Sequence, residues 1–157
     1  LLIRATSPIA DNGGLKVAVT SPILEGVGVS GASSFSGAAP NPVNDFTIDA
    51  SGASRVTLSG LVASKVIVNA SGASEVILEQ GSSTDLTVIA TGASQFASHG
   101  FTAQDVRVEV SGASRVCVTA NQSISGNASG GSTVTVSGGP KTLEVNSSGG
   151  SRLIKEG

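Results

Sequence analysis

Tryptophan, tyrosine and methionine are missing from this chain of 157 residues, and cysteine and histidine occur once each. A lone cysteine, Cys117, cannot close an internal disulfide, and one Cys with one His cannot supply the ligand set of a structural zinc site. Without Trp and Tyr the chain has none of the flat amphipathic rings on which sugars and bases commonly stack. Charge is scarce too: 13% of residues are ionisable Asp, Glu, Lys or Arg, and the formal net charge is -2. That balance gives no electrostatic footprint for nucleic acid or an anionic membrane surface. No apolar run approaches the roughly 18 residues of a membrane helix, and no stretch carries a helical amphipathic pattern. An initiating Met and a basic-apolar-small signal segment are also missing, so a targeting segment or earlier coils are expected upstream. The length suits one domain, expected over residues 1–157.

What is present is a ruler. The tetrapeptide Ser/Thr-Gly-Ala-Ser recurs with its glycine at Gly31, Gly52, Gly72, Gly92 and Gly112, then as Ser-Gly-Gly-Ser at Gly130 and Gly149. The glycines lie 21, 20, 20, 20, 18 and 19 residues apart. A fixed period near 20 marks a solenoid, whose coils bury their apolar faces only by stacking on one another. On both sides of the glycine, apolar residues alternate with polar ones, as in Val66-Ile67-Val68 and Val76-Ile77-Leu78. This is the period of a half-buried strand, and the abundant Val, Ile and Thr suit a pleated surface. The expected coil is two short strands joined by a tight Gly-Ala-Ser corner, with a looser connection near Gly60, Gly81, Gly100 and Gly138.

Register follows from that alignment. Ile48, Val68, Val88, Val108 and Val145 are expected to form one inward column, flanked by Val56, Val76, Phe96, Val116, Val134 and Leu153. Gly126 replaces an apolar residue, so the sixth coil should pack least well. Ser54, Ser74, Ser94, Ser114, Ser132 and Ser151 form a column whose hydroxyls suit backbone groups at the turn. Residues 1–29 are read as N-terminal strands, with Leu15 to Thr20 as one of them, plus a first coil with an incomplete cap. Residues 36–45, with Pro40 and Pro42, are read as a surface-loop insertion. Residues 153–157 are read as a C-terminal cap, because Lys155 falls in register with the inward Leu58.

The catalytic search is short. His99 lies at the looser connection, with nothing in the sequence to mark an orienting acid or an oxyanion hole. Cys117 points outward in the column Thr57, Ile77, Ala97, Cys117, Thr135, Ile154. The repeat carries no Asp in a fixed register of the calcium-roll type, and Gly130-Gly131-Ser132 lacks the Lys of a phosphate loop. No catalytic residue, metal ligand or cofactor is therefore expected. Asn127-Ala128-Ser129 matches a glycosylation acceptor, a short pattern that is frequent by chance. Ile67 and Ile89 on one strand face, and Ile77 on the other, are the candidate interface residues, through which self-association is conceivable.

Strand, Ser-Gly-Ala-Ser corner and strand at a period near 20 together resemble the putative auto-transporter adhesin, head GIN domain family of bacterial proteins. The resemblance runs from Leu15 to the C-terminus, and the N-terminal strands typical of the family are reduced to Leu1–Gly14. It implies a single-stranded, right-handed parallel β-helix of six to seven coils. It further implies export to the periplasm, outer membrane or cell surface, and a non-enzymatic adhesive or structural role. An extracellular glycan or protein is the partner it implies. Two rivals remain from the residues themselves. A polysaccharide-degrading β-helix would need acids with Lys or Arg clustered in a groove. An ice-binding solenoid would need a flat, uniform Thr column. The outward columns Arg55, Glu75, Gln95, Arg115, Thr133, Arg152 and Asp49, Asn69, Ile89, Glu109, Asn127, Asn146 fit neither.

Overall fold

The computed structural model describes residues 23–39 and 41–156. The expected strands at Leu1–Arg4 and Leu15–Thr20 lie outside the described residues. Every strand pairing is parallel: β1 (Gly26–Val29) with β3 (Val43–Ala50), and β2 (Ser34–Ala38) and β3 with β4 (Arg55–Ala70). The ladder continues through β5 (Glu75–Ala90), β6 (Gln95–Val110) and β7 (Arg115–Ala128). It closes with β8 (Thr133–Gly138), β9 (Thr142–Ser147) and β10 (Arg152–Lys155). The chain is a β-solenoid of about six turns, with coil on coil in register.

Each complete coil has three arms where the sequence reading has two. In β4, burial alternates along 55–58, breaks at Ser59-Gly60, resumes along Leu61–Ala63, breaks again at Ser64-Lys65, and resumes to Ala70. Strand hydrogen bonding runs through both breaks, so the looser connection is a bent stretch of ladder instead of a loop. The first arm and the third are long enough to show a period of two. The middle arm is three residues long and does not.

Stacking explains the corners. Gly92 sits at φ +78°, and a Cβ there would lie 2.7 Å from the carbonyl oxygen of Gly72 in the coil below. Only glycine combines that conformation with so close an approach. The tetrapeptide then locks to its neighbour: the Ala93 amide donates to Gly72 O at 2.7 Å, and the Gln95 amide to Ser74 O at 2.8 Å. The serine column turns inward, and Ser54, Ser74, Ser94, Ser114 and Ser151 cap backbone carbonyls of earlier coils, whereas Ser132 Oγ is buried without a partner. Ser74 Oγ donates to Ala50 O and Ser94 Oγ to Ala70 O, both at 3.2 Å.

The expected pair of columns lies in the interior, beside further buried columns such as Phe46, Val66 and Leu86. Ile48, Val68, Val88 and Val108 are fully buried, as are Val56, Val76, Val116 and Val134, with Phe96 at 1% exposure. Each such side chain contributes roughly 1.5–3 kcal/mol relative to exposure. Val145 and Leu153 are only half-buried, because each has a coil on one side alone. The sixth coil does not gape at Gly126. Its backbone closes on Val108, so that a Cβ at 126 would stand 1.8 Å from Val108 O, and Val108 stays fully covered. The 18-residue step is taken up in the middle arm. There Ala103 pairs with Ala120 across a register shift, and β7 is two residues shorter than β6.

The stretch 36–45 is mostly strand. β2 extends to Ala38 and β3 begins at Val43, leaving a short connection in which Ala39 is buried. Pro42, just before β3, has no amide to donate to a ladder. Lys155 pairs in register with Val136, yet its side chain is exposed.

Candidate functional site

Register turns the outward residues into columns, and the third arm is chemically unlike the first. On the first arm, Arg55, Arg115, Arg152 and the exposed Lys155 stand against Glu75, Glu79 and Glu156, a face at +1. Arg55 and Glu75 stand on adjacent strands and form an ion pair at 2.5 Å. On the third arm the columns run Asp45, Lys65, Asp85, Asp105, Ser123, Thr142, then Thr47, Ile67, Thr87, Arg107, Ser125, Glu144. The last column is Asp49, Asn69, Ile89, Glu109, Asn127, Asn146. Six carboxylates against two cations leave this face at -4.

Part of that charge is satisfied locally. Asn69 Nδ2 donates to Asp49 at 2.8 Å, Asn127 Nδ2 to Glu109 at 3.0 Å, and Arg107 bonds Glu109 at 2.9 Å. Ser123 Oγ donates to Asp105 at 2.5 Å. Lys65 and Asp85 are directly opposite on adjacent strands but form no ion pair within 4.0 Å, and both heads stand in solvent. Asp85 and Asp105 are likewise directly opposite, a like-charge pairing that weakens a ladder. Around them lies an open depression of about 430 Å³ lined by Lys65, Asp85, Thr87, Asp105, Arg107 and Ser123 among others. Ile67 is paired with Thr87 beside it.

This cluster escaped the sequence reading. The alternation read from the sequence starts at Val66, and the charged column sits one residue earlier, at the second break in alternation. The signal was available: an ionisable residue immediately precedes Phe46, Val66, Leu86 and Val106.

The expected interface residues do not form one patch. Ile67 and Ile89 are diagonal neighbours on the third arm, and Ile89 is 38% exposed. Ile77 lies half-buried on the first arm, in the column with Cys117. His99 is exposed at the bend before Gly100, well along the chain from the Asp85–Asp105 cluster in its coil. Among the described residues no group of three or more His, Cys, Asp or Glu is placed to hold a metal ion, and no helix is long and apolar enough to cross a membrane.

A stack of corner-locked coils with its charged residues in outward columns defines a parallel β-solenoid. Residues 1–140 match the family described as putative auto-transporter adhesin, head GIN domain, and the chain belongs to that family. The match includes the N-terminal residues that the sequence reading set aside, and ends before β9 and β10. No curated protein and no solved structure matches the chain.

Proposed function

We propose that this chain is a non-catalytic, exported module that works in the periplasm, at the outer membrane or at the cell surface, making adhesive or structural contacts through its third-arm face. The observation that carries this reading is the division of labour within each coil. Inward positions and corners are consumed by stacking, while the third arm varies from coil to coil in charge and in hydrogen-bonding groups. Exposed positions can vary in this way without disturbing the stack. Membership in an adhesin-head family supports the adhesive role and the exported location.

A degradative reading has one observation in its favour, the Asp85–Asp105 pair with Lys65 and Arg107 around it. Two carboxylates about 5 Å apart suit a retaining glycosidase. The general acid of that chemistry, however, is made by apolar enclosure. Asp85 and Asp105 instead stand exposed in an open depression, and Asp105 already holds the Ser123 hydroxyl. The test has two parts. Cells expressing the complete gene are fractionated and shaved with protease, and adhesion is compared with a deletion strain; a purely cytoplasmic protein defeats the reading. Purified protein incubated with neutral and acidic polysaccharides should release no new reducing or unsaturated ends. Release abolished by Asp85→Asn would establish the enzyme instead.

A further inference from the structure

We infer that the two ends of the described solenoid are complementary, and that the N-terminal coil of one copy stacks on the C-terminal coil of another to build an open filament. The inference goes beyond the adhesive reading and does not depend on it. Both ends present the same unit. At the C-terminal end it is β9, the Ser148-Gly149-Gly150-Ser151 corner and β10; at the N-terminal end it is β1, the Ser30-Gly31-Ala32-Ser33 corner and β2. Among the described residues each of these four strands is paired on one side only. The N-terminal corner is equally uncovered: a Cβ at Gly31 would meet nothing within 4 Å, whereas one at Gly52 would stand 2.8 Å from Gly31 O.

The hydrogen-bonding phase of the two ends matches. In a parallel ladder, alternate residues bond to opposite neighbours. The Arg152 and Glu156 amides donate to Ser132 O and Val136 O, so the backbone groups of Leu153 and Lys155 face the open edge of β10. The Ala39 amide donates to Ser59 O, so by the same alternation Ser34 and Ser36 face the open edge of β2. A second copy that continues the coil register lays Ser34–Ala38 along Arg152–Glu156. Its β1 falls on β9, with Val27 over Val145.

Side chains fit in that register. Leu153 and Val145, each covered by a coil on one side alone, meet Phe35 and Val27 of their own inward columns. Lys155 falls in an inward column, and a charge at a strand edge ordinarily deters pairing. The N-terminal end accommodates it. Gly37 holds that column there, and the Phe35 ring leans across Gly37, 2.8 Å from where a Cβ would stand. Lys155 is thus offered space and an aromatic face, a cation–π contact, instead of an aliphatic side chain. A second C-terminal end would instead set Arg152 and Lys155 against their own kind. Because the joined surfaces differ, the contact is heterologous and adds copies without closing on itself.

The intact chain is followed by sedimentation over a wide concentration range, and its mass should climb past that of a dimer. Lys155→Pro and Ser36→Pro each remove an amide that faces only the open edge, and each should weaken association by roughly tenfold or more at an unchanged thermal midpoint. Lys155→Arg should keep assembly and Lys155→Glu lose it, while Ile67→Lys on the third arm should leave it unaltered. Geometry is read with Ile154→Cys and Ser36→Cys, each in a Cys117→Ser background, since 154 and 36 belong to one outward column. Mild oxidation of an equal mixture should give the mixed disulfide, which in-register neighbouring strands permit. Should either proline lower the midpoint, this mixture alone decides. A monomer at every concentration, growth that stops at a dimer, or a disulfide formed by either variant alone as readily as by the mixture would overturn the inference.

Discussion

Two of the three bends of each coil, the Gly-Ala-Ser corner and the bend near Gly60, solve the same geometric problem by opposite means. At the Gly-Ala-Ser corner, φ stays between +66° and +78° from Gly31 to Gly149, and each corner amide reaches the corner carbonyl of the coil before it in every coil from Ala53 to Gly131. At the second bend, φ ranges from +71° at Gly60 to +126° at Gly81, and Gln80 adopts a positive φ of its own. The register shifts there between β5 and β6, and again between β6 and β7. Both bends stack backbone on backbone, since a Cβ at Gly81 would lie 2.1 Å from Leu61 O, but the corner keeps nearly one φ from coil to coil. The other is where the solenoid absorbs insertions, deletions and changes of residue.

Substitutions can break or sharpen that contrast. The largest effect is expected at the stacked corner. Gly92→Val places a branched side chain at positive φ against Gly72 O, and should cost roughly 2 kcal/mol or more. An unchanged melting temperature would mean that the corners are not locked. In the arms between the bends, Val108→Ala should cost about 1 to 3 kcal/mol by denaturant titration, since Val108 is fully buried. At the second bend, Gly60→Ala meets nothing closer than Ala39 O at 4.0 Å, so only the backbone penalty of about 1 kcal/mol remains. A loss at Gly60 as large as that at Gly92 would erase the distinction between the two bends. The smallest effect belongs to the middle arm. Ser83 Oγ is buried without a hydrogen-bond partner, in a column otherwise occupied by Ala63, Ala103 and Ala120. Ser83→Ala should be neutral or raise stability by up to about 1 kcal/mol in thermal melts.

The same contrast explains what could be read from the residues alone. The corner was legible because its glycine and serine are required in every coil, and the columns on either side followed from a period of two carried over five or more residues. Val68, Val108 and Val116 lie where that period puts them. The middle arm was illegible because Leu61–Ala63 is too short to display a period, and its two flanking breaks look like lapses in alternation. Missing it left Lys65, Asp85 and Asp105, which sit at the second break, outside every column read from the sequence. The candidate site was hidden by the same step. The insertion at 36–45 was overdrawn for a different reason: prolines in a sequence read as a loop, but β2 runs to Ala38 and Val43 to Asp45 already belong to β3.

The stacked corner also gives the molecule an electrical direction. The Gly72–Ala73 peptide unit donates its amide to Gly52 O below and offers its carbonyl to the Ala93 amide above. The units at 52–53, 92–93 and 112 onward repeat that orientation in the Ala53, Ala113 and Gly131 bonds, so a single-file chain of amides runs along the axis. Within the strands, successive peptide dipoles alternate and cancel. Along the corner, dipoles of about 3.5 D each point the same way and add, and each hydrogen bond polarises the next. The end nearer the N-terminus acquires partial positive charge and the other partial negative charge, so that two such rods attract head to tail and repel head to head.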